Sequence, residues 1–231
     1  IFADLDADGD LDMVTGRLEG TLSYFENTGS AVDPVFVQRT GTANPLNGFD
    51  VGDQSAPTLG DLNGDGDLDL IVGRSDGTFA YFENTGTATA AVFTQRTGTS
   101  NPMNGVDLPN SAEPVLVDLD ADGDLDLVVG TGNGSIQYFR NGGTAAAPAF
   151  SQISGSGNPF DGIDVGNSAT PTFADVDFDG DLDLIVGETD GVLNYFENTG
   201  TASSPVYVAR SGEANPFAAI GDVANRGERV G

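Results

Sequence analysis

Acidic residues recur in four short clusters whose spacing suits the binding of a hard metal ion. The first cluster reads Asp-Leu-Asp-Ala-Asp-Gly-Asp-Leu-Asp from Asp4 to Asp12, so carboxylates stand at positions 1, 3, 5, 7 and 9 and a glycine at position 6. Carboxylates at positions 1, 3 and 5 can converge on one point when the backbone curls, and the glycine permits the sharp turn. A backbone carbonyl at position 7 and a carboxylate at position 9 would complete an oxygen cage of the kind that binds Ca²⁺.

The other three clusters repeat this set with one substitution. Asn63, at position 3 of the second cluster, keeps an oxygen but removes one charge, so we expect the second site to be somewhat weaker. Without a cation, the carboxylates of one loop would repel one another strongly. We therefore predict four Ca²⁺ sites, one per repeat, in preference to Mg²⁺, which requires octahedral geometry with several waters. The predicted metal ligands are Asp4, Asp6, Asp8, Asp10, Asp12, Asp61, Asn63, Asp65, Asp67, Asp69, Asp118, Asp120, Asp122, Asp124, Asp126, Asp175, Asp177, Asp179, Asp181 and Asp183.

The composition of the chain excludes several other kinds of site. Its 231 residues include 36 Asp and Glu against 8 Arg, for a formal net charge of −28, and no Lys, His, Cys or Trp. Without His and Cys there is no disulfide, zinc site, thiol nucleophile or Ser-His-Asp triad. The acidic balance disfavours nucleic-acid binding, and no apolar run is long enough for membrane insertion. We expect no enzyme activity and no catalytic residues.

The acidic clusters belong to a repeat that extends along the whole chain. They begin at positions 4, 61, 118 and 175, a period of 57 residues, and Tyr-Phe-Glu/Arg-Asn and Asn-Pro segments recur at the same period. In the second unit, alternation and turn signals predict strands at 56–60, 68–73, 78–83 and 91–96 and no helix. The pattern predicts an all-β fold, a β-propeller of four four-stranded blades, closed as a four-bladed ring or forming part of a larger or oligomeric propeller. We divide this single domain into repeats 1–57, 58–114, 115–171 and 172–231.

The loop pattern Asp-x-Asp/Asn-x-Asp-Gly-Asp-x-Asp, followed by Leu/Met and Val/Ile, resembles the FG-GAP/VCBS repeats. It is similar to the calcium loops of integrin α-subunit propellers and of some fungal lectins. The resemblance covers essentially the whole chain and implies a propeller stabilised by Ca²⁺, in which the loop joins the first and second strands of a blade. Most relatives have about seven blades, within the usual range of propellers, whereas this chain contains four units.

Two sets of recurring polar and aromatic residues allow alternative interpretations. Tyr24-Phe25 and its copies suit packing between blades, but the Tyr rings, together with Asn27 and its copies, could also stack on sugars. Asn44-Pro45 and its copies are typical turn initiators, and they could also line ligand pockets. The sequence does not separate these options, so no ligand residue is assigned.

The leading functional hypothesis is a non-enzymatic, calcium-stabilised propeller module of a secreted or cell-surface protein. It would bind glycan or surface-protein ligands in an adhesion or lectin-like role. The alternatives are an architectural repeat protein that forms a spacer or self-assembling filament, and an accessory domain of a larger secreted enzyme. After Asn215-Pro216 the last unit departs from the repeat. This tail could close the ring onto the first unit, or the open blade edges could pair with another copy of the chain.

Overall fold

The structure, a computed structural model, describes residues 1–220 of the chain. Its strands form four antiparallel sheets of four strands each, and within every sheet the strands lie side by side in sequence order. The sheets are arranged around one axis as a four-bladed β-propeller, which confirms the predicted propeller. A central channel is lined by Ser55, Glu113 and Thr170 of the first strands of blades 2, 3 and 4, and by Ile1, which precedes the first strand of blade 1.

Each blade repeats the same four strands at the same spacing. Blade 1 contains β1 (Phe2–Ala3), β2 (Asp12–Gly16), β3 (Leu22–Asn27) and β4 (Phe36–Arg39); blade 2 contains β5 (Ser55–Gly60), β6 (Asp69–Arg74), β7 (Phe79–Asn84) and β8 (Phe93–Arg96). Blade 3 contains β9 (Ala112–Val117), β10 (Asp126–Thr131), β11 (Ile136–Asn141) and β12 (Phe150–Ile153); blade 4 contains β13 (Thr170–Ala174), β14 (Asp183–Gly187), β15 (Leu193–Asn198) and β16 (Tyr207–Arg210). The four strands predicted for the second unit are confirmed to within two residues at each end.

The acidic loops join the first and second strands of each blade, as the family resemblance implied. The loop from Asp61 to Asp67, for example, connects β5 to β6, whose paired residues include Leu59 and Leu70. Because the first strand of blade 2 begins at Ser55, the repeat boundary drawn at residue 58 falls inside that strand. The structural unit therefore starts a few residues before the sequence unit.

The segment after the fourth strand of each blade contains a one-turn 3₁₀ helix, which was not predicted from the sequence. These helices span Gly41–Ala43, Gly98–Ser100, Gly155–Gly157 and Gly212–Ala214. A single turn is too short to show helical periodicity, so a prediction based on a 3.6-residue repeat cannot detect it. None of the helices within residues 1–220 is both long enough and apolar enough to span a membrane.

Apolar side chains are buried mainly between consecutive blades. We call the side of a blade that packs against the preceding blade its leading face, and the side that packs against the next blade its trailing face. The first cluster joins Leu5, Val14 and Leu46 on the trailing face of blade 1 to Leu70 and Phe82 on the leading face of blade 2. Equivalent clusters join blade 2 to blade 3 and blade 3 to blade 4. Since burial of one large apolar side chain stabilises by about 1.5–3 kcal/mol, blade stacking supplies the main cohesion of the ring.

Candidate metal site

Each acidic loop is curled by hydrogen bonds from its own backbone to the carboxylate at position 1. Asp4 accepts from the N–H groups of Asp8 (3.2 Å) and Gly9 (3.1 Å). Asp118 and Asp175 accept from the matching N–H groups of their loops, and Asp61 accepts from those of Gly64 and Gly66. The first carboxylate therefore fixes the loop as well as offering an oxygen to an ion.

Two residues of every loop adopt left-handed backbone conformations. The glycine at position 6 has φ between +90° and +97° in all four loops, in agreement with the role predicted for it. Position 4 is also left-handed, at Ala7 (φ 55°), Ala121 (φ 57°) and Phe178 (φ 63°), and at Gly64 (φ 72°) in the second loop. A non-glycine residue in this region is uncommon and strained. In the sequence, only the glycine at Gly64 indicated a left-handed backbone conformation at position 4.

The carboxylates at positions 1, 3 and 5 converge as predicted. In the first loop, oxygens of Asp4, Asp6 and Asp8 lie within 4.8 Å of one another. The same is true of the third and fourth loops, through Asp118, Asp120 and Asp122 and through Asp175, Asp177 and Asp179. In the second loop Asn63 occupies the middle position, and its Oδ1 accepts the N–H of Asp65 (3.0 Å).

Four carboxylate oxygens of the acidic loops are buried and lack a hydrogen-bond partner among the described residues. They are Oδ1 of Asp6 and of Asp120 at position 3, and Oδ1 of Asp10 and of Asp181 at position 7. A buried carboxylate oxygen without a partner is costly, and a cation would satisfy it. The donor set, all oxygen with two to three carboxylates close together, therefore fits a hard cation such as Ca²⁺.

The electrostatics of the loops point the same way. Burial, followed by repulsion from Asp12 and Asp8, raises the pKa of Asp6 above its ordinary value. Burial and the neighbouring carboxylates likewise raise the pKa of Asp10, Asp177 and Asp181. The first and fourth loops thus hold negative charge at an energetic cost that a bound cation would remove.

The third loop differs from the others because an arginine lies against it. Arg140 occupies the position of Glu26, Glu83 and Glu197 in the other blades, and its guanidinium lies 2.6 Å from Oδ2 of Asp120 and 3.6 Å from Oδ2 of Asp122. In blades 1, 2 and 4 that glutamate instead pairs with an arginine on the fourth strand. No role was predicted for Arg140, although the change from Glu to Arg in one of the four repeats is visible in the sequence.

The carboxylate at position 9 lies in the blade interior. Asp12, Asp69, Asp126 and Asp183 are at most 1% exposed. Oδ2 of Asp69 accepts from the Tyr81 hydroxyl (2.9 Å) and the Leu62 N–H (3.3 Å), and Oδ1 accepts from the Asn84 N–H (2.7 Å). The same three hydrogen bonds recur in the other blades. The assignment of these residues as metal ligands stays a prediction. The structure shows a separate role, because their hydrogen bonds connect each loop to the second and third strands of its blade.

The burial of the recurring tyrosines and asparagines contradicts the sugar-stacking interpretation. Tyr24 and its copies are 4–5% exposed, with hydroxyls bound to the position 9 carboxylates. Asn84 is 3% exposed, and its Oδ1 accepts from the N–H groups of Gly86 (3.0 Å) and Val92 (2.9 Å). It therefore holds the turn between the third and fourth strands.

The Asn-Pro segments act as turns, which was the simpler of their two interpretations. Oδ1 of Asn44 accepts the N–H of Leu46 (2.9 Å), and the equivalent bonds recur at Asn101, Asn158 and Asn215. These turns place Phe160 and Phe217 against Tyr138 and Tyr195 on the third strands of their own blades. The departure of the last unit from the repeat falls mostly on residues 221–231, which lie outside the described residues.

The chain is similar to two solved structures at low sequence identity. A lectin from Agrocybe aegerita, whose structure concerns specific recognition of non-reducing terminal N-acetylglucosamine, is 20% identical with a TM-score of 0.50. The match covers 91% of this chain and 51% of the lectin, so the chain spans about half the length of that protein. The Photorhabdus luminescens Tc holotoxin pore matches with 20% identity and a TM-score of 0.42, over 87% of this chain and 10% of the toxin chain. No curated protein matches the chain.

Family comparison agrees with the repeat seen in the sequence and in the blades. Residues 4–72 and 118–186 match the FG-GAP-like repeat, and residues 54–93 match the FG-GAP repeat. Together these matches span more than half of the chain and include all four acidic loops. The chain belongs to the FG-GAP repeat family.

Proposed function

We propose that this chain is a non-enzymatic, calcium-stabilised propeller module of a secreted or cell-surface protein that binds glycan or protein ligands. The observation that carries the calcium role is the convergence of carboxylates at positions 1, 3 and 5, with unpartnered buried oxygens at positions 3 and 7. Asp4, Asp6 and Asp8, and the matching residues of the other loops, would hold the ion. When bound, Ca²⁺ would supply positive charge that neutralises each cluster and links the loop segments.

The loop residues support a structural role for the ion. Asp12 and its copies connect each loop to the buried tyrosine of the same blade, so ordering the loop also orders the first three strands. Extracellular calcium modules bind with Kd values on the order of 10⁻⁴–10⁻³ M, concentrations at which the ion is available outside cells. The FG-GAP family membership supports a calcium-dependent extracellular module of this kind.

A ligand-binding role is supported by the repeated blades and by a groove at the surface. A cavity of about 670 Å³ lies between blades 3 and 4 and is lined by both apolar and polar groups, among them Ile153, Pro159, Arg140 and Ser204. Cavities of this size and mixed lining are suited to small ligands such as sugars. The fold shared with the Agrocybe aegerita lectin favours the glycan class. Multiple weak sites on one ring would raise the overall affinity through avidity.

The calcium role is tested by thermal unfolding with excess Ca²⁺ and with EDTA. At a free concentration of 100 times Kd, one bound ion stabilises by about 2.7 kcal/mol, so we expect a clear rise in Tm with calcium. A variant with Asp4, Asp6 and Asp8 all changed to Asn should lose part of that rise. A control variant with the exposed Asp33, Asp53 and Asp107 changed to Asn should keep it. Equal melting curves in Ca²⁺ and EDTA would rule out the calcium role.

The ligand role is tested separately with an immobilised glycan array and with surface proteins. We expect binding in Ca²⁺ that is lost in EDTA, because loops that the ion no longer orders cannot hold the binding surface in place. If the chain is stabilised by Ca²⁺ but binds no glycan or surface protein, the structural part of the proposal stands and the ligand part fails. Assembly is a second candidate function, which the exposed apolar face of blade 1 favours.

A further inference from the structure

The leading face of blade 1 differs from the leading faces of the other blades because its apolar side chains are exposed. Phe2 is 56% exposed, Leu11 54% and Phe36 39%. The same positions in blade 2 are Leu59, Leu68 and Phe93, which pack against blade 1 in the first hydrophobic cluster. The equivalent residues of blades 3 and 4 pack in the second and third clusters. Blade 1 therefore presents an interface surface that lacks its usual cover among residues 1–220.

The junction between blades 3 and 4 shows what that cover consists of. There, the ring of Phe160, from the connector of blade 3, stacks on the ring of Tyr207 with centroids 5.1 Å apart. Its centroid lies 6.0 Å from that of the Phe173 ring. Phe173 and Tyr207 are themselves 6.3 Å apart, with their planes tilted by 58°. The two rings of blade 4 thus form a receptor for one aromatic ring of the preceding blade.

Blade 1 has the same two-ring receptor. Phe2 and Phe36 occupy the positions of Phe173 and Tyr207, with ring centroids 5.8 Å apart and planes tilted by 51°. These values are close to the 6.3 Å and 58° of the filled receptor in blade 4. Both rings of blade 1 are exposed, so the receptor is ready to take up an aromatic side chain.

Blade 4 has the matching insert. Phe217 stands at the position of Phe160, and its N–H donates to Oδ1 of Asn215 (2.8 Å), as the N–H of Phe160 donates to that of Asn158 (3.0 Å). Its ring meets Tyr195 edge-on at 6.0 Å and 75°, as the ring of Phe160 meets the equivalent tyrosine of blade 3 at 6.2 Å and 86°. The trailing face of blade 4 is therefore built like the trailing face of blade 3.

A second pair of positions strengthens this match. At the junction of blades 1 and 2, Phe49 stacks on Phe82 with ring centroids 4.4 Å apart. On the trailing face of blade 4, the residue equivalent to Phe49 is Ile220, which is 50% exposed. On the leading face of blade 1, the residue equivalent to Phe82 is Phe25. An apolar side chain is thus available on each side of this second contact as well.

We propose that the leading face of blade 1 binds the trailing face of blade 4 of a second copy of this chain, with Phe217 of one copy inserted between Phe2 and Phe36 of the other. A second copy is favoured over residues 221–231, since that segment contains four charged residues and only two large apolar ones, Val223 and Val230. The faces are different rather than self-complementary, so the contact is head-to-tail and can propagate or close on itself. We expect the two faces to pack in the same geometry as the blades do at the junctions of blades 1 and 2, 2 and 3, and 3 and 4.

Sedimentation velocity over a range of protein concentrations, in Ca²⁺, tests the contact. We expect the full chain to self-associate, and Phe217→Ser, or Phe2→Ser with Phe36→Ser, to weaken association at least tenfold. Val92→Ser is the control, because Val92 is 56% exposed and lies in blade 2, away from both faces. Mixing the Phe217→Ser chain with the doubly substituted chain leaves one intact face on each, so a one-to-one complex should form and go no further. A chain that stays monomeric at every concentration, or association that none of these substitutions weakens, would overturn the proposal.

Disulfide trapping distinguishes a second copy from closure within one chain. The chain contains no cysteine, so introduced thiols report only the pair of interest. A Phe36→Cys chain mixed with a Phe217→Cys chain should form a covalent dimer under mild oxidation, and a Val92→Cys chain mixed with the Phe217→Cys chain should not. If a single chain with both substitutions instead closes into an internally linked monomer, the faces meet within one molecule and the proposal is wrong. Circular dichroism and Tm of each variant verify that the fold is retained.

Discussion

The hydrogen bond between Tyr81 and Asp69 should contribute measurably to stability, in a way that depends on pH. Tyr81 is 5% exposed and Asp69 is fully buried, and the hydroxyl lies 2.9 Å from Oδ2 of the carboxylate. Tyr81→Phe removes this donor and leaves the shape of the ring unchanged. A hydrogen bond to a charged group contributes about 1.5–3 kcal/mol, so we expect the free energy of unfolding to fall by that amount at pH 7.5. For a chain of this size the Tm should fall by roughly 3–12 °C.

The pH dependence identifies the charge on Asp69 as the cause. Burial raises the pKa of Asp69 to about 6, and the Tyr81 hydrogen bond opposes that rise by favouring the ionised carboxylate. Near pH 5 the carboxyl is mostly protonated, so the variant should lose only the roughly 0.5–1.5 kcal/mol of a neutral hydrogen bond. The destabilisation caused by Tyr81→Phe should therefore grow as the pH rises through 6.

The assay is urea unfolding of the wild type and the variant at pH 5 and pH 7.5, in EDTA so that calcium binding does not compete with protons. Tyr207→Phe is the matched control, because its hydroxyl donates to the neutral Leu182 carbonyl (3.2 Å) and the equivalent residue in the other blades is Phe. Its effect should be small and independent of pH. A loss below about 0.5 kcal/mol at pH 7.5 for Tyr81→Phe, or an equal loss at both pH values, would refute the charge-assisted bond.

Three further predictions concern the ionisable groups and the hairpin turns. In EDTA, the wild type should be more stable at pH 5 than at pH 7.5, and urea midpoints at the two pH values check this. Burial raises the pKa values of Asp69 and Asp126 to about 6, so the stability that these two residues contribute is lost as the pH rises from about 4 to 6. Arg140→Gln should raise the calcium affinity of the third loop by about two- to fivefold, measured by isothermal titration calorimetry, since a competing cation is removed; unchanged affinity would contradict the competition. Gly77→Ala should lower the Tm more than Gly105→Ala: both residues have positive φ, but a Cβ on Gly77 would lie 2.0 Å from the Leu108 carbonyl oxygen, whereas that on Gly105 meets open space.

Much of the fold follows from patterns that are local in the chain. The 57-residue period, the alternation of Leu68, Leu70 and Val72 and the turn at Arg74–Gly77 involve neighbouring residues, so they predict strands and hairpins without knowledge of distant partners. The acidic loop is equally local, because carboxylates two residues apart converge when a glycine lets the backbone turn. The sequence was therefore sufficient for the propeller fold and for the clustering at positions 1, 3 and 5.

Contacts between distant segments depended on the tertiary structure. The pairing of β6 with β7 brings the Tyr81 hydroxyl to Asp69, twelve residues away, so a residue predicted only as a metal ligand also anchors the blade interior. Arg140 reaches the third acidic loop because β11 returns beside it. The four repeats predict equal blades, yet the apolar face of blade 1 is exposed where its counterparts are buried. Whether an apolar face is covered depends on which surface lies opposite it in space, and no repeat pattern records that arrangement.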